Sequence, residues 1–149
     1  HDLDPYISAV CTHNIGDVLL REGKLDEAEA RIAESLRIAE AHGFDKMQHL
    51  DRAFLACIDV LRTRTESGVA QMLESIRYAE KKQWVWDQIQ EKQLLAFAYR
   101  KLGRSQDAAA QLEEVMALAR ASGNSVYVRE CQVMLDELRS PDGDRRAPP

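Results

Sequence analysis

Histidine and cysteine, the side chains that most often ligate zinc or act as nucleophiles with a base, occur four and three times in the chain. Their positions are His1, His13, His42, His49, Cys11, Cys57 and Cys131. A zinc site on one helix face needs ligands about three or four residues apart. No histidine has that spacing to another histidine or to a cysteine, so the sequence predicts no metal site.

Other patterns that carry chemistry are also missing from the sequence. Asp142, Gly143 and Asp144 resemble part of a calcium loop, but the preceding acidic residue and the closing glutamate are absent. The sequence has no phosphate-binding glycine loop and no nucleophile elbow, and no carboxylate pair stands out among the surface acids. We therefore expect neither enzymatic activity nor a cofactor.

The charge balance narrows the choice of partners. The net charge is −5 and the isoelectric point is near 5.4, whereas binding to nucleic acid requires a basic patch. No apolar run approaches the roughly 18 residues of a membrane span, and no charged-then-apolar leader opens the sequence. An odd number of cysteines among apolar neighbours is typical of reduced thiols. We expect a cytoplasmic protein without nucleic-acid or membrane partners.

One five-residue pattern recurs every 40 residues, as Leu36–Glu40, Ile76–Glu80 and Met116–Arg120. Self-similarity at a fixed period is typical of stacked helical repeats. Helix-forming residues dominate, and the long β-branched runs of strands are missing. The sequence therefore predicts an all-α fold.

Residues that start and stop helices divide this fold into hairpins. Asp4 and Pro5 predict the start of the first helix, whereas Gly23 and Gly43 predict the ends of the first two. Ser105 is expected to cap the sixth helix. The prediction is about seven helices in one domain over 1–139, with hairpins at 5–42, 45–82 and 85–122, an unpaired helix at 125–138, and a flexible tail or linker at 140–149.

Two of the three hairpins resemble the tetratricopeptide repeat. The residues that carry the resemblance are Ile15, Gly16, Leu19, Gly23, Ala28, Ile32 and Ser35 in the first hairpin, and Leu95, Ala96, Tyr99, Gly103, Ala108, Leu112 and Val115 in the third. Small residues at these positions allow close helix contact, and glycine takes the turn.

The middle hairpin departs from the family pattern. Phe54 and Ile58 fit the large positions only after a shift of one residue, and Gly68 replaces the expected alanine. The usual unit is about 34 residues long, so the chain is more similar to long-unit variants such as those in bacterial signalling proteins and kinesin light chains. The resemblance implies a right-handed superhelical stack whose first helices line a concave groove.

The residues expected to face that groove are polar, with one aromatic. They are Val10, His13, Asp17 and Arg21 in the first helix, His49, Arg52, Ala56 and Asp59 in the third, and Gln90, Gln93, Phe97, Arg100 and Lys101 in the fifth. Such a surface suits a peptide held by side-chain hydrogen bonds and an apolar anchor. The family's carboxylate clamp is not expected, since Asp17 would repel a carboxylate.

Two further features suggest self-association. Trp84 and Trp86 open the fifth helix, where one is expected to pack and the other to be exposed. The unpaired helix is expected to expose an apolar strip of Val126, Val128, Met134 and Leu135, unless that strip packs on helix six. Trp84, Trp86, Val126 and Met134 are the candidates for contact with a second copy.

These observations favour a module that binds a protein or peptide, as an interaction scaffold or a regulatory sensor in bacterial-style signalling. One alternative is a homodimerisation domain of a larger signalling protein. Another is a small-molecule or peptide sensor that controls a fused effector, since a first residue of His1 suggests a piece of a longer protein.

Overall fold

The computed structural model describes residues 3–140 and confirms the all-α prediction. Seven helices and no strand occur in this part of the chain. They are α1 (Pro5–Arg21), α2 (Leu25–His42), α3 (Asp45–Thr63), α4 (Glu66–Lys81), α5 (Val85–Lys101), α6 (Ser105–Ala121) and α7 (Ser125–Arg139). No helix within 3–140 combines the length and apolar character needed to cross a membrane. The calcium-like segment 142–144 and most of the predicted tail lie outside the described residues.

The 40-residue period reappears in the starts of the helices. The first helix of each hairpin begins at Pro5, Asp45, Val85 and Ser125, each 40 residues after the one before. The second helices α2 and α6 begin at Leu25 and Ser105, whereas α4 begins at Glu66, one residue later than the period requires. The irregular middle hairpin of the sequence is therefore also irregular in structure.

Caps and turns explain most of these boundaries. The carboxylate of Asp4 accepts hydrogen bonds from the backbone N–H groups of Tyr6 (2.8 Å) and Ile7 (3.3 Å), as its position before Pro5 predicts. The prediction for Ser105 is wrong. Ser105 is the first residue of α6, and Arg104 occupies the cap position without a side-chain hydrogen bond to the helix.

The chain divides into two compact units, His1–Gln71 and Met72–Pro149. In the first unit α1 packs against α2, α2 packs against α3, and α1 also contacts α3. Gly16 lets α1 and α2 approach closely, because a Cβ atom there would lie 2.6 Å from Cδ1 of the fully buried Ile32. Across the same unit, the guanidinium of Arg62 in α3 pairs with Asp26 and Glu29 of α2.

In the second unit α5 packs against α6, and α6 packs against α7. Its interior contains Leu94, Leu95 and Val115, none of which has exposed surface. A buried lysine also belongs to this interior: Nζ of Lys92 lies 2.8 Å from a carboxylate oxygen of Glu114 and 3.4 Å from one of Glu80. The two half-exposed glutamates supply the opposite charge that a buried ammonium group requires.

Candidate functional site

The period also relates the contacts between successive first helices. In the first unit, Nδ1 of His13 in α1 lies 2.7 Å from Oδ1 of Asp51 in α3. In the second unit, the amide of Gln93 in α5 donates to Sγ of Cys131 in α7 at 3.9 Å. Both members of the second pair follow those of the first by 80 residues, or two repeats. The predicted groove positions on α1 and α5 therefore share one face, which looks toward the next first helix.

In the first unit this face is largely closed, and the prediction that His13 faces a partner is wrong. His13 is only 3% exposed. Its ring packs edge-on against Phe54 at 4.5 Å between centroids, and its Nε2 is buried without a hydrogen-bond partner among the described residues. Asp51 has no exposed surface and also accepts a hydrogen bond from Ser35 at 2.8 Å. His13, Asp51 and Ser35 thus form a buried polar cluster that holds α1, α2 and α3 together.

The remaining groove residues of the first unit are accessible but scattered. Asp17 and Arg21 form an ion pair along α1, 3.1 Å apart. Arg52 turns back to Glu40 of α2, with 3.0 Å between the charged atoms. Asp59 is exposed, and His49 is half-buried together with Ala56. Since Arg52 is held by α2, these side chains do not converge on one position.

Beneath the Asp17–Arg21 pair lies Cys57, which is fully buried. Burial raises the pKa of its thiol to about 12, with a smaller opposing effect from Arg21. Such a thiol stays protonated and unreactive at neutral pH. The described residues contain no group of three or more histidine, cysteine, aspartate or glutamate side chains that could hold a metal ion.

The second unit gathers the predicted residues more effectively. Most of α5 is buried, and its partly accessible side chains form a single line along the helix. We call this line the α5 stripe; it consists of Trp86, Gln90, Gln93, Phe97, Arg100 and Lys101. The sequence pattern predicts a groove-facing position for every member except Trp86.

Both aromatic and charged groups of the α5 stripe are held by neighbours. The ammonium of Lys101 lies 5.6 Å from the centre of the Phe97 ring, and partial burial lowers the pKa of that lysine. The guanidinium of Arg100 lies 3.8 Å from a carboxylate oxygen of Glu137 in α7. The stripe therefore has a basic end at Arg100 and Lys101, near the end of α5.

The opposite end of the stripe is aromatic. The indole of Trp86 is 49% exposed and packs edge-on against Tyr127 of α7, with 5.3 Å between the ring centres. Trp84 is half-buried and packs edge-on against Tyr78 at 5.8 Å. The two tryptophans therefore differ as expected, since one packs and the other presents much of its ring to solvent.

The apolar strip predicted on α7 is not continuous. Leu135 and Cys131 are buried, Val128 and Met134 are half-buried, and Val126 is exposed. The outward residues of α7 are mostly polar; they include Arg129, Glu130, Gln132 and Asp136, with Val133 among them. The prediction of an exposed Leu135 is wrong because this side chain packs inside the second unit.

The α5 stripe is only partly readable from sequence. The spacing of Gln90, Gln93 and Phe97 identifies its middle, whereas the groove pattern leaves out Trp86. The signal is nevertheless present, because Trp86 precedes Gln90 by four residues and so lies one turn away on the same face.

A cleft of about 440 Å³ lies between α6 and α7, away from the stripe. It is lined by Ser105, Gln106, Ala109, Ala110, Glu113, Leu138 and Arg139. Glu113 and Arg139 form an ion pair within this lining.

No family model, curated protein or solved structure matches the chain. The tetratricopeptide resemblance therefore remains a prediction from the residues of the first and third hairpins.

Proposed function

We propose that this chain is a tetratricopeptide-like interaction module that binds a peptide or protein segment along the α5 stripe. The observation that carries the proposal is the half-exposed Trp86, held in a fixed orientation by Tyr127. Large aromatic side chains dominate the energetics of protein interfaces. A ring that is already fixed loses little conformational entropy when a partner covers it.

The length and polarity of the stripe indicate what it would bind. Trp86 and Lys101 are separated by about 22 Å along the helix, at 1.5 Å per residue. An extended peptide covers that distance with about seven residues. Gln90 and Gln93 between the ends offer amide groups for hydrogen bonds with a peptide backbone. The ligand expected is a short segment with an apolar side chain at the Trp86 end and a carboxylate at the Lys101 end.

Selection from a displayed library of random peptides tests this proposal and requires no candidate partner. Selection on the wild-type protein is expected to enrich peptides with one apolar and one acidic position, spaced to span the stripe. Synthetic copies of these peptides are then titrated against W86A, F97A and K101E. Each variant is expected to weaken binding by roughly tenfold or more.

Tyr6 offers a matched control. It occupies the repeat position of Trp86 two periods earlier, is 54% exposed, and packs edge-on against Phe44 at 5.4 Å. Y6A removes an equivalent aromatic from the first unit and is expected to leave binding unchanged. The proposal fails if no peptide is enriched, or if the enriched peptides bind W86A and F97A as tightly as the wild type.

A further inference from the structure

The first helix exposes an apolar line on the side opposite its buried residues. Ile7 and Val18 are 51% and 58% exposed, and Cys11 and Asn14 between them are exposed as well. We call these four residues the α1 seam. Their spacing of four, three and four residues is that of a coiled-coil contact line. The only charged residues of α1 are Asp17 and Arg21, which lie off the seam.

The same repeat position is a packing surface in the next first helix. Forty residues after the seam, α3 places Met47, Asp51, Phe54 and Ile58, and all four are buried. In α5 the last two equivalents, Leu94 and Ala98, have no exposed surface. The face that these helices bury is thus uncovered in α1 within residues 3–140.

The other uncovered helix, α7, does not offer a matching surface. Its outward face is largely polar, and there Gln132 donates a hydrogen bond to Asp136 at 2.9 Å. A head-to-tail contact between α1 of one copy and α7 of the next would therefore pair an apolar face with a polar one. Contact between identical faces, which closes as a two-fold dimer, avoids this mismatch.

The α1 seam is complementary to itself in one antiparallel register. When Ile7 lies against Val18 of the second copy, Cys11 lies against Asn14 of the second copy, and both pairs are repeated by symmetry. In this register Asp4, just before the seam, lies opposite Arg21 of the second copy. Opposite charges thus meet at both ends of an apolar contact, which favours this register over a parallel one, where each charge would meet its own kind.

We propose that a second copy of this chain covers the α1 seam, in an antiparallel α1–α1 homodimer. This interface is separate from the α5 stripe and does not depend on the function proposed for it. Neither Trp84, Trp86 nor Val126 takes part.

Charge substitutions test both the interface and its register. Light scattering coupled to size exclusion is expected to show a dimer for the wild type in the micromolar range. I7E and V18K should each be monomeric while keeping the helical circular dichroism of the wild type, because both positions are exposed in the single chain. Each substitution is expected to weaken dimerisation by at least about tenfold.

Mixing the two variants gives the decisive measurement. In the antiparallel register the introduced carboxylate of I7E faces the introduced ammonium of V18K, so the mixture is expected to form a heterodimer. V133E is the matched control, since Val133 is as exposed as Val18 but lies on α7; it should remain dimeric. A monomeric wild type, dimeric single variants, or a mixture that stays monomeric would each overturn the proposal.

Discussion

Ser35 donates a 2.8 Å hydrogen bond to Oδ2 of Asp51, a carboxylate with no exposed surface. The same contact occurs one repeat later, where the hydroxyl of Ser75 bonds to Glu91, which is 2% exposed. In both cases a serine of the second helix reaches a carboxylate of the next first helix. The repeat therefore preserves a polar contact between hairpins as well as an apolar pattern.

Removal of Asp51 is expected to destabilise the first unit strongly. D51A leaves His13 and Ser35 as buried groups without their shared acceptor, and the expected loss is about 3 kcal/mol of unfolding free energy. S35A removes one neutral donor and is expected to cost about 1 kcal/mol. Urea denaturation of the single and double variants gives the coupling energy. Purely additive losses would show that the cluster does not act as a unit.

The turn before α5 contains a residue that is poorly suited to its backbone conformation. Gln83 has φ of +58°, in the left-handed region, whereas the equivalent positions one repeat before and after are Gly43 (+69°) and Gly123 (+74°). Q83G is expected to stabilise the protein by about 0.5–1 kcal/mol, because glycine adopts this conformation without steric cost. The midpoint of urea unfolding should rise. The reverse change, G123Q, should lower it by a similar amount.

The helix boundaries are predictable because local chemistry sets them. Asp4 and Pro5 start α1, and Gly23 and Gly43 end helices in left-handed turns, as expected from their types. The turn after α3 lacks glycine, and there Arg64 takes the left-handed conformation at φ of +55°. The boundary that the sequence defines least well is thus the one at which α4 begins one residue out of phase.

The buried polar residues are not predictable in the same way. Asp51, Glu91 and Lys92 look like surface residues when only hydrophobic periodicity is considered, and the same reasoning places His13 in the groove. Their burial depends on partners far away in sequence, such as Ser35 for Asp51 and Glu114 for Lys92. A pattern within one helix contains no information on such partners. Only alignment of Ser35 with Ser75, and of Asp51 with Glu91, could have indicated it.

The close approach of α1 and α2 at Gly16 is expected to tolerate no side chain. A Cβ atom there would lie 2.6 Å from Cδ1 and 2.8 Å from Cγ1 of Ile32, which is fully buried. G16A is expected to cost about 1–2 kcal/mol, because the overpacking exceeds the gain in helix propensity. I32V removes the nearest methyl group, so G16A should be less harmful in that background. Equal losses in both backgrounds would contradict the steric explanation.

The three cysteines are expected to differ sharply in reactivity. Cys11 is exposed, whereas Cys57 and Cys131 are buried and burial raises the pKa of both thiols. In dilute folded protein at mildly alkaline pH, an aromatic disulfide reagent should titrate one thiol rapidly and all three after denaturation. C11S should abolish the rapid phase. A rapid phase that persists in C11S would show that a buried cysteine is accessible.

The raised pKa of Cys57 also makes stability depend on pH in the alkaline range. The ordinary pKa of the thiol is 9.0, and burial raises it to about 12 in the folded chain. Below pH 9 the thiol is protonated in both states, so it does not affect the pH dependence. Between pH 9 and 12 the unfolded chain releases this proton while the folded chain retains it, so the free energy of unfolding falls as pH rises. C57A is expected to be less stable than the wild type near neutral pH because it leaves a small cavity. Its stability should nevertheless fall less steeply above pH 9, since lysines and tyrosines titrate in both proteins and cancel in the comparison. Urea unfolding at several pH values measures the two slopes, and parallel slopes would contradict the assignment to Cys57.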